Sequence, residues 1–196
     1  TTLNDEQRDY IRLIRASGDT LLRLIDDVLD FSKIESGRMT LESVSVEVVP
    51  VVEEAFELVA EKAREKDLAL LFDMHNDVPF YVLGDATRLR QILLNLLSNA
   101  IKFSAEDGVI EVKSNVSAGD IVFEVKDYGM GISQEDQEHL FERFFRAKNA
   151  TNIQGTGLGL HIVAKYAELM NGTISFASEL EKGTSITISF NKPASV

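Results

Sequence analysis

Two glycine clusters late in the chain have the spacing a nucleotide pocket needs. The first is Asp127-Tyr128-Gly129-Met130-Gly131. After a gap of 23 residues comes the second, Gly155-Thr156-Gly157-Leu158-Gly159-Leu160. Glycines let main chain pass close to a flat base. Alternating glycines that open a helix leave N–H groups where phosphate can sit. One such repeat is weak, but two in this order are stronger.

A third group lies upstream, in the stretch from Arg88 to Phe103. Asn95 and Asn99 are four apart, so both carboxamides share one helix face. Leu89, Ile92, Leu93, Leu96, Leu97 and Ala100 supply the apolar stripe beside them. Burying two carboxamides without partners is costly, and an oxygen-rich ligand such as hydrated Mg²⁺ would satisfy them. Lys102, three residues past Asn99, lies close enough to add a phosphate contact.

Together these motifs resemble the ATP-binding part of a sensor histidine kinase, in a superfamily shared with DNA gyrase, heat-shock chaperone and mismatch-repair ATPases. The N box runs from Asn95 to Lys102, and the first glycine box from Asp127 to Gly131. The F box is Phe141-Glu142-Arg143-Phe144-Phe145-Arg146, and the second glycine box runs from Gly155 to Leu160. Gly84-Asp85-Ala86-Thr87-Arg88-Leu89 is the approach that commonly precedes the N box. The resemblance implies an ATP and Mg²⁺ site contacted by Asn95, Asn99, Lys102, Asp127, Gly129, Gly131, Phe145, Arg146 and residues Gly155, Thr156, Gly157, Leu158, Gly159 and Leu160. Asp127 would accept a hydrogen bond from the exocyclic amine of adenine, which selects against guanine. Asn99 would be the metal ligand. Asn95, Lys102 and Arg146 would carry catalysis.

Residue 95 also separates branches of the superfamily. The ATP-hydrolysing branches usually carry glutamate there, as a base that activates water. A carboxamide cannot take a proton at neutral pH, so Asn95 suits phosphoryl transfer to a nucleophile brought by another element. Residues 132 to 154 would form the ATP lid, with Phe141, Phe144 and Phe145 packing its hinge onto the core or the dimerisation helices. Arg143, Arg146 and Lys148 are candidates for the γ-phosphate, Arg146 first by family position.

The resemblance extends to the N-terminus. Residues 7 to 42 are similar to the second helix of a dimerisation domain, and Leu29 to Arg38 resembles the helix end often found in hybrid kinases. Ile11, Ile14, Gly18, Leu21, Ile25 and Val28 step by three and four, a heptad seam widened by Leu22, Leu24 and Leu29. By pattern alone this is an amphipathic helix; the resemblance makes it a homodimer helix. Ser36-Gly37 is the expected stop. The family's phosphoacceptor histidine is expected on a first helix upstream of Thr1. The three histidines present do not fit that context: His75 ends a strand, His139 sits on a short helix, and His161 opens the phosphate-binding helix, where it can approach nucleotide.

Composition narrows the rest. A net charge of −12 without a basic stripe argues against nucleic acid as partner. Local N–H groups, a metal and a few cations must therefore attract phosphate. There are no cysteines, which excludes disulfide and thiolate chemistry and fits a cytoplasmic setting. No apolar run is long enough to span a bilayer, so any membrane anchor lies outside this segment.

The elements that must place these residues follow from periodicity. Residues 68 to 74 read as a strand, 85 to 103 as a capped helix, and 109 to 116 with 121 to 126 as a hairpin. Pro50 can occupy the first turn of a helix that buries Ala55, Phe56, Val59 and Ala63. Ser133 caps a short helix, 158 to 170 form another, and 173 to 176 with 185 to 191 make a last strand pair. Helices on one face of a mixed sheet give an α+β, two-layer α/β sandwich, which the resemblance specifies as the Bergerat fold. The expected division is 1–42, the second dimerisation helix, and 43–196, the catalytic domain. A relay from the missing helix to a response-regulator receiver domain would follow. The alternatives are a non-catalytic dimerisation module that binds nucleotide, and a conformational-switch ATPase of the same superfamily.

Overall fold

The computed structural model describes residues 4–153 and 155–191; Gln154, expected to end the lid, lies outside them, as do residues 1–3 and 192–196. The chain divides into two compact units, Thr1–Met39 and Thr40–Val196.

The first unit is one helix, α1 (Asp5–Glu35). It starts on a capping box: Gln7 N–H donates to Asn4 Oδ1 at 2.8 Å, and Asn4 N–H donates back to Gln7 Oε1 at 3.1 Å. It ends where Gly37 turns left-handed at φ +64°, so the helix stops well short of Glu42. Arg38 N–H then reaches Lys33 O and Gly37 N–H reaches Ile34 O, both at 3.0 Å. That pair of bonds closes the last carbonyls as a Schellman motif. The expected seam stays open to solvent: Ile14 is 70% and Leu21 58% exposed.

The second unit runs β1 (Val44–Glu47), α2 (Val48–Arg64), β2 (Ala69–Met74), β3 (Tyr81–Gly84), α3 (Ala86–Phe103), β4 (Val109–Ser117), β5 (Asp120–Asp127), α4 (Gln134–Gln137), α5 (Gly159–Leu169), β6 (Gly172–Glu179) and β7 (Gly183–Asn191). A five-stranded sheet has the order β2-β4-β5-β7-β6. Only the β2–β4 pair is parallel, and the remaining pairs are antiparallel. β1 and β3 form a separate antiparallel ribbon. Both strands of that ribbon were missed in the sequence.

α2, α3 and α5 form the second layer. Each buries one stripe: Val48, Val51, Val52, Ala55, Val59 and Ala63 on α2, and Ile162, Val163, Tyr166 and Ala167 on α5, while α3 buries the expected leucine and isoleucine face. The facing strand residues alternate. Along β5, Ile121, Phe123, Val125 and Asp127 all point inward, with Phe123 opposite Ile188 of β7. Burying each large apolar side chain contributes about 1.5–3 kcal/mol. The other sheet face is polar, as where Ser185 Oγ donates to Glu124. One apolar and one wet face define a two-layer sandwich.

Candidate nucleotide site

Period-two alternation explains why a carboxylate sits at the sheet end. Asp127 occupies the next inward position after Val125, so strand geometry buries it to 8% exposure. Its Oδ1 accepts Gly129 N–H at 2.9 Å and Thr184 N–H at 3.2 Å. Burial pushes its carboxyl above the ordinary carboxylate range, and the two N–H bonds oppose that shift.

The first glycine box is pressed against main chain. A Cβ at Gly129 would overlap the carbonyl of Phe103, and one at Gly131, at φ +63°, the carbonyl of Glu179. The close approach expected of these glycines is thus made to the protein's own backbone. Met130 carries both neighbours, its N–H donating to Phe103 O at 3.2 Å and its carbonyl accepting from Glu181 N–H at 2.9 Å.

α3 is fixed at its start. Asp85, 5% exposed, takes Arg88 N–H on Oδ1 at 3.0 Å and Glu42 N–H on Oδ2 at 3.1 Å. Arg88 then crosses to α5, donating to Tyr166 Oη at 2.9 Å with its guanidinium 5.1 Å from that ring. This tie sets the opening turn of α5 beside the N box, and Gly159 lies next to Asn95 Oδ1. Asn95 and Asn99 are half-buried, and among the described residues neither carboxamide has a hydrogen-bond partner. The N–H groups of the first turn of α5 have no acceptor inside the helix. Thr156 Oγ1 accepts Leu158 N–H at 3.1 Å and holds the turn that leads into it. Lys102 Nζ lies 4.9 Å from the Phe103 ring centre and hard against Gly155. An open cavity of about 790 Å³ has Lys102, Phe103, Gly129 and Ile153 in its wall; Asn95, Asn99, Asp127 and the opening turn of α5 lie outside that lining. A smaller cavity of about 410 Å³, between the end of α2 and β2, holds none of these residues.

The segment between the glycine boxes is held by polar contacts. Asn149 Nδ2 donates to Gly131 O at 3.0 Å, and Lys148 N–H donates to the buried Asp136 at 3.1 Å. Arg146 gives one guanidinium nitrogen to the carbonyls of Ala150, Thr151 and Ile153. It therefore staples residues 146–153 together, and Lys148 pairs with Glu135 at 2.9 Å. Phe141 packs edge-on to Phe176 of β6 and Phe145 lies against His139, but Phe144 turns outward at 64% exposure with φ +60°. Phe144 thus does not pack on the core, and Gly157 lies against its main chain.

The histidines also differ from their reading in part. His139 lies in the turn after α4 and not on a helix. His161 is buried and holds Phe141 O through Nδ1 at 3.0 Å, so it joins the second glycine box to the F box. His75 is at the exposed end of β2, paired with Asp77 at 2.8 Å. Sequence reasoning missed Thr184, whose contribution is a main-chain N–H and leaves no residue-type signal.

A nucleotide-binding sandwich of this kind has known counterparts. Residues 84–194 match the family described as histidine kinase-, DNA gyrase B-, and HSP90-like ATPase, and the chain belongs to that family. Residues 1–37 match the His Kinase A (phospho-acceptor) domain family. The signal transduction histidine-protein kinase BarA of Escherichia coli (strain K12) is 39% identical over 198 residues, covering 97% of this chain and 22% of BarA. Full-length ShkA in complex with AMPPNP superposes with a TM-score of 0.82 at 32% identity, over 100% of this chain and 41% of ShkA. ThkA in complex with the response regulator protein TrrA gives a TM-score of 0.72 at 25% identity, over 98% and 53% of the respective chains. The fold is that of histidine-kinase catalytic domains.

Proposed function

We propose that this chain is the Mg²⁺-ATP-binding catalytic region of a two-component sensor histidine kinase, with part of its dimerisation helix hairpin attached. The parent protein passes the γ-phosphoryl of ATP to a histidine on another helix, and from there to a receiver-domain aspartate. Residues 1–37 contain no histidine, so the acceptor comes from a segment other than these. The carrying observation is the half-buried carboxamide pair Asn95 and Asn99, which has no partner among the described residues and lies beside the opening of α5.

That donor set fits its ligands. Asn99 Oδ1 is one hard oxygen next to open space, and Mg²⁺ takes few protein oxygens while keeping its waters. When bound, Mg²⁺ spreads the charge of the phosphates. Lys102 and the first-turn N–H groups of α5 hold phosphate oxygens, and Asp127 reads the adenine amine. Asn95 cannot act as a base, so it orients and does not hydrolyse. Arg146 holds the carbonyls of Ala150, Thr151 and Ile153 through one nitrogen, so its engagement with phosphate is coupled to the position of this segment.

The open seam of α1 is the homodimer contact in this reading, and the receiver domain is the downstream partner. The kinase region is cytoplasmic; no helix of the described residues is long and apolar enough to cross a membrane.

Calorimetric titration with ATP and GTP, with and without Mg²⁺, tests the proposal. Binding of ATP at about millimolar Kd or tighter is expected, dependent on Mg²⁺ and stronger than GTP. In the parent kinase, Asn99→Ala should fold and lose labelling from γ-labelled ATP. Equal GTP binding, or normal labelling of Asn99→Ala, overturns it.

A further inference from the structure

We infer that Lys66 is a positioning residue of the nucleotide pocket, which sets the last turn of α3 against the first glycine box. The inference rests on the nucleotide-binding reading above.

An α-helix leaves its last carbonyls without intrahelical donors. The end of α3 satisfies every one of its carbonyls in an ordered way. Ala100 O takes Ser104 N–H at 3.0 Å. Ile101 O, Lys102 O and Ser104 O converge on a single atom, Lys66 Nζ, at 2.9, 3.1 and 2.9 Å. Phe103 O is the carbonyl left over, and it faces the other way, to Met130 N–H with Gly129 pressed against it. Lys66 and the first glycine box therefore grip opposite sides of the same turn.

An ammonium has three donors, and all are used here. Lys66 lines the 790 Å³ cavity beside Lys102, yet its hydrogens point at carbonyls, so it is not itself a phosphate ligand. Its charge also sits at the negative end of the α3 dipole. The lysine is held in turn: its N–H donates to Ala63 O at 3.2 Å and its carbonyl accepts Asp107 N–H at 3.0 Å.

Removing the ammonium would leave part-buried carbonyls to seek water. The turn that carries Lys102 and Phe103 would rotate, and Phe103 O would release Met130. Gly129, whose N–H holds Asp127, moves with Met130. A lysine that touches no nucleotide thus governs two groups that do.

Lys66→Met keeps the stem and removes the donors. The core of α3 and the five-stranded sheet do not include residue 66, so the variant should fold, as circular dichroism will report. Its Kd for Mg²⁺-ATP should rise about tenfold, in line with lost charge-assisted bonds. Amide hydrogen exchange at Met130 should speed up, while that of Ile174 in β6 stays as in wild type. If Lys66→Met fails to fold, Lys66→Gln, which keeps a donor pair, is measured in the same way and should show a smaller shift in the same direction. A folded variant with unchanged Kd and unchanged Met130 exchange overturns the inference. Wild-type protein that binds no ATP instead overturns the nucleotide reading on which it rests.

Discussion

Asp127, the proposed adenine reader, is buried at a cost to stability. Burial raises its carboxyl above 3.8, so the folded state keeps its proton to higher pH than the unfolded chain does. With more protons bound in the folded state, stability falls as pH rises through the interval from the ordinary value to the raised one. Above that interval the unfavourable contribution is complete. Asp127→Asn keeps an oxygen for the N–H groups of Gly129 and Thr184 and removes the charge. At neutral pH the variant should melt above wild type, and this gain should vanish in acid below the carboxylate range. Its ATP affinity should fall about tenfold or more, because the adenine amine then meets a donor. Calorimetric melts across pH and an ATP titration read both. An unchanged affinity would remove the adenine assignment. Asp127 was singled out in the sequence because a carboxylate before two glycines is a side-chain signal. Thr184 was not, because it acts through a peptide N–H, and Lys66 was not, because a lysine after a helix normally serves its own helix and here serves another.

α3 and α5 were readable to within a residue, since each carries several turns of periodic signal, whereas α2 was read only by its face, on which Phe56 is half-buried. β1 and β3 were not. Each has four residues, too few for alternation to stand out, and β1 passes into α2 at Glu47–Val48 with no turn between them. They exist because they pair with one another across residues 44–84, and that pairing is non-local. The contact between α3 and α5 was invisible for the same reason. Tyr166 Oη accepts from Arg88 and meets Gln91 at 3.3 Å, with the ring fully buried. Tyr166→Phe keeps the ring and drops the hydroxyl. It should destabilise the fold by about 1 kcal/mol, since the part-buried Arg88 loses one acceptor and keeps Gln91. Urea unfolding would measure this, and a midpoint equal to wild type would show that the tie does not bear on stability. Because α5 opens beside Asn95, the same variant should also weaken ATP.

Under the proposed function the chain as a whole assembles a phosphate site within a net charge of −12, so attraction is confined to a few local groups. None of its three histidines lies on α1, the helix matched to the phospho-acceptor domain family. His161 is fixed to Phe141 O, His139 pairs with Glu142 at 2.9 Å, and His75 pairs with Asp77. Incubated alone with labelled ATP, the chain should therefore form no acid-labile phosphohistidine. Mass spectrometry under alkaline conditions reads this, and stoichiometric label on any of the three would show the acceptor to be misplaced. One feature of the pocket bears on how it can change over time. Gly129 meets the main chain of Phe103, and both line the cavity, so peptide bonds form part of its wall. Side chains can be exchanged by single codon changes, whereas peptide bonds cannot. An inhibitor shaped to that wall would leave the protein few routes to resistance, because a substitution that displaces the compound also displaces the backbone on which nucleotide binding depends.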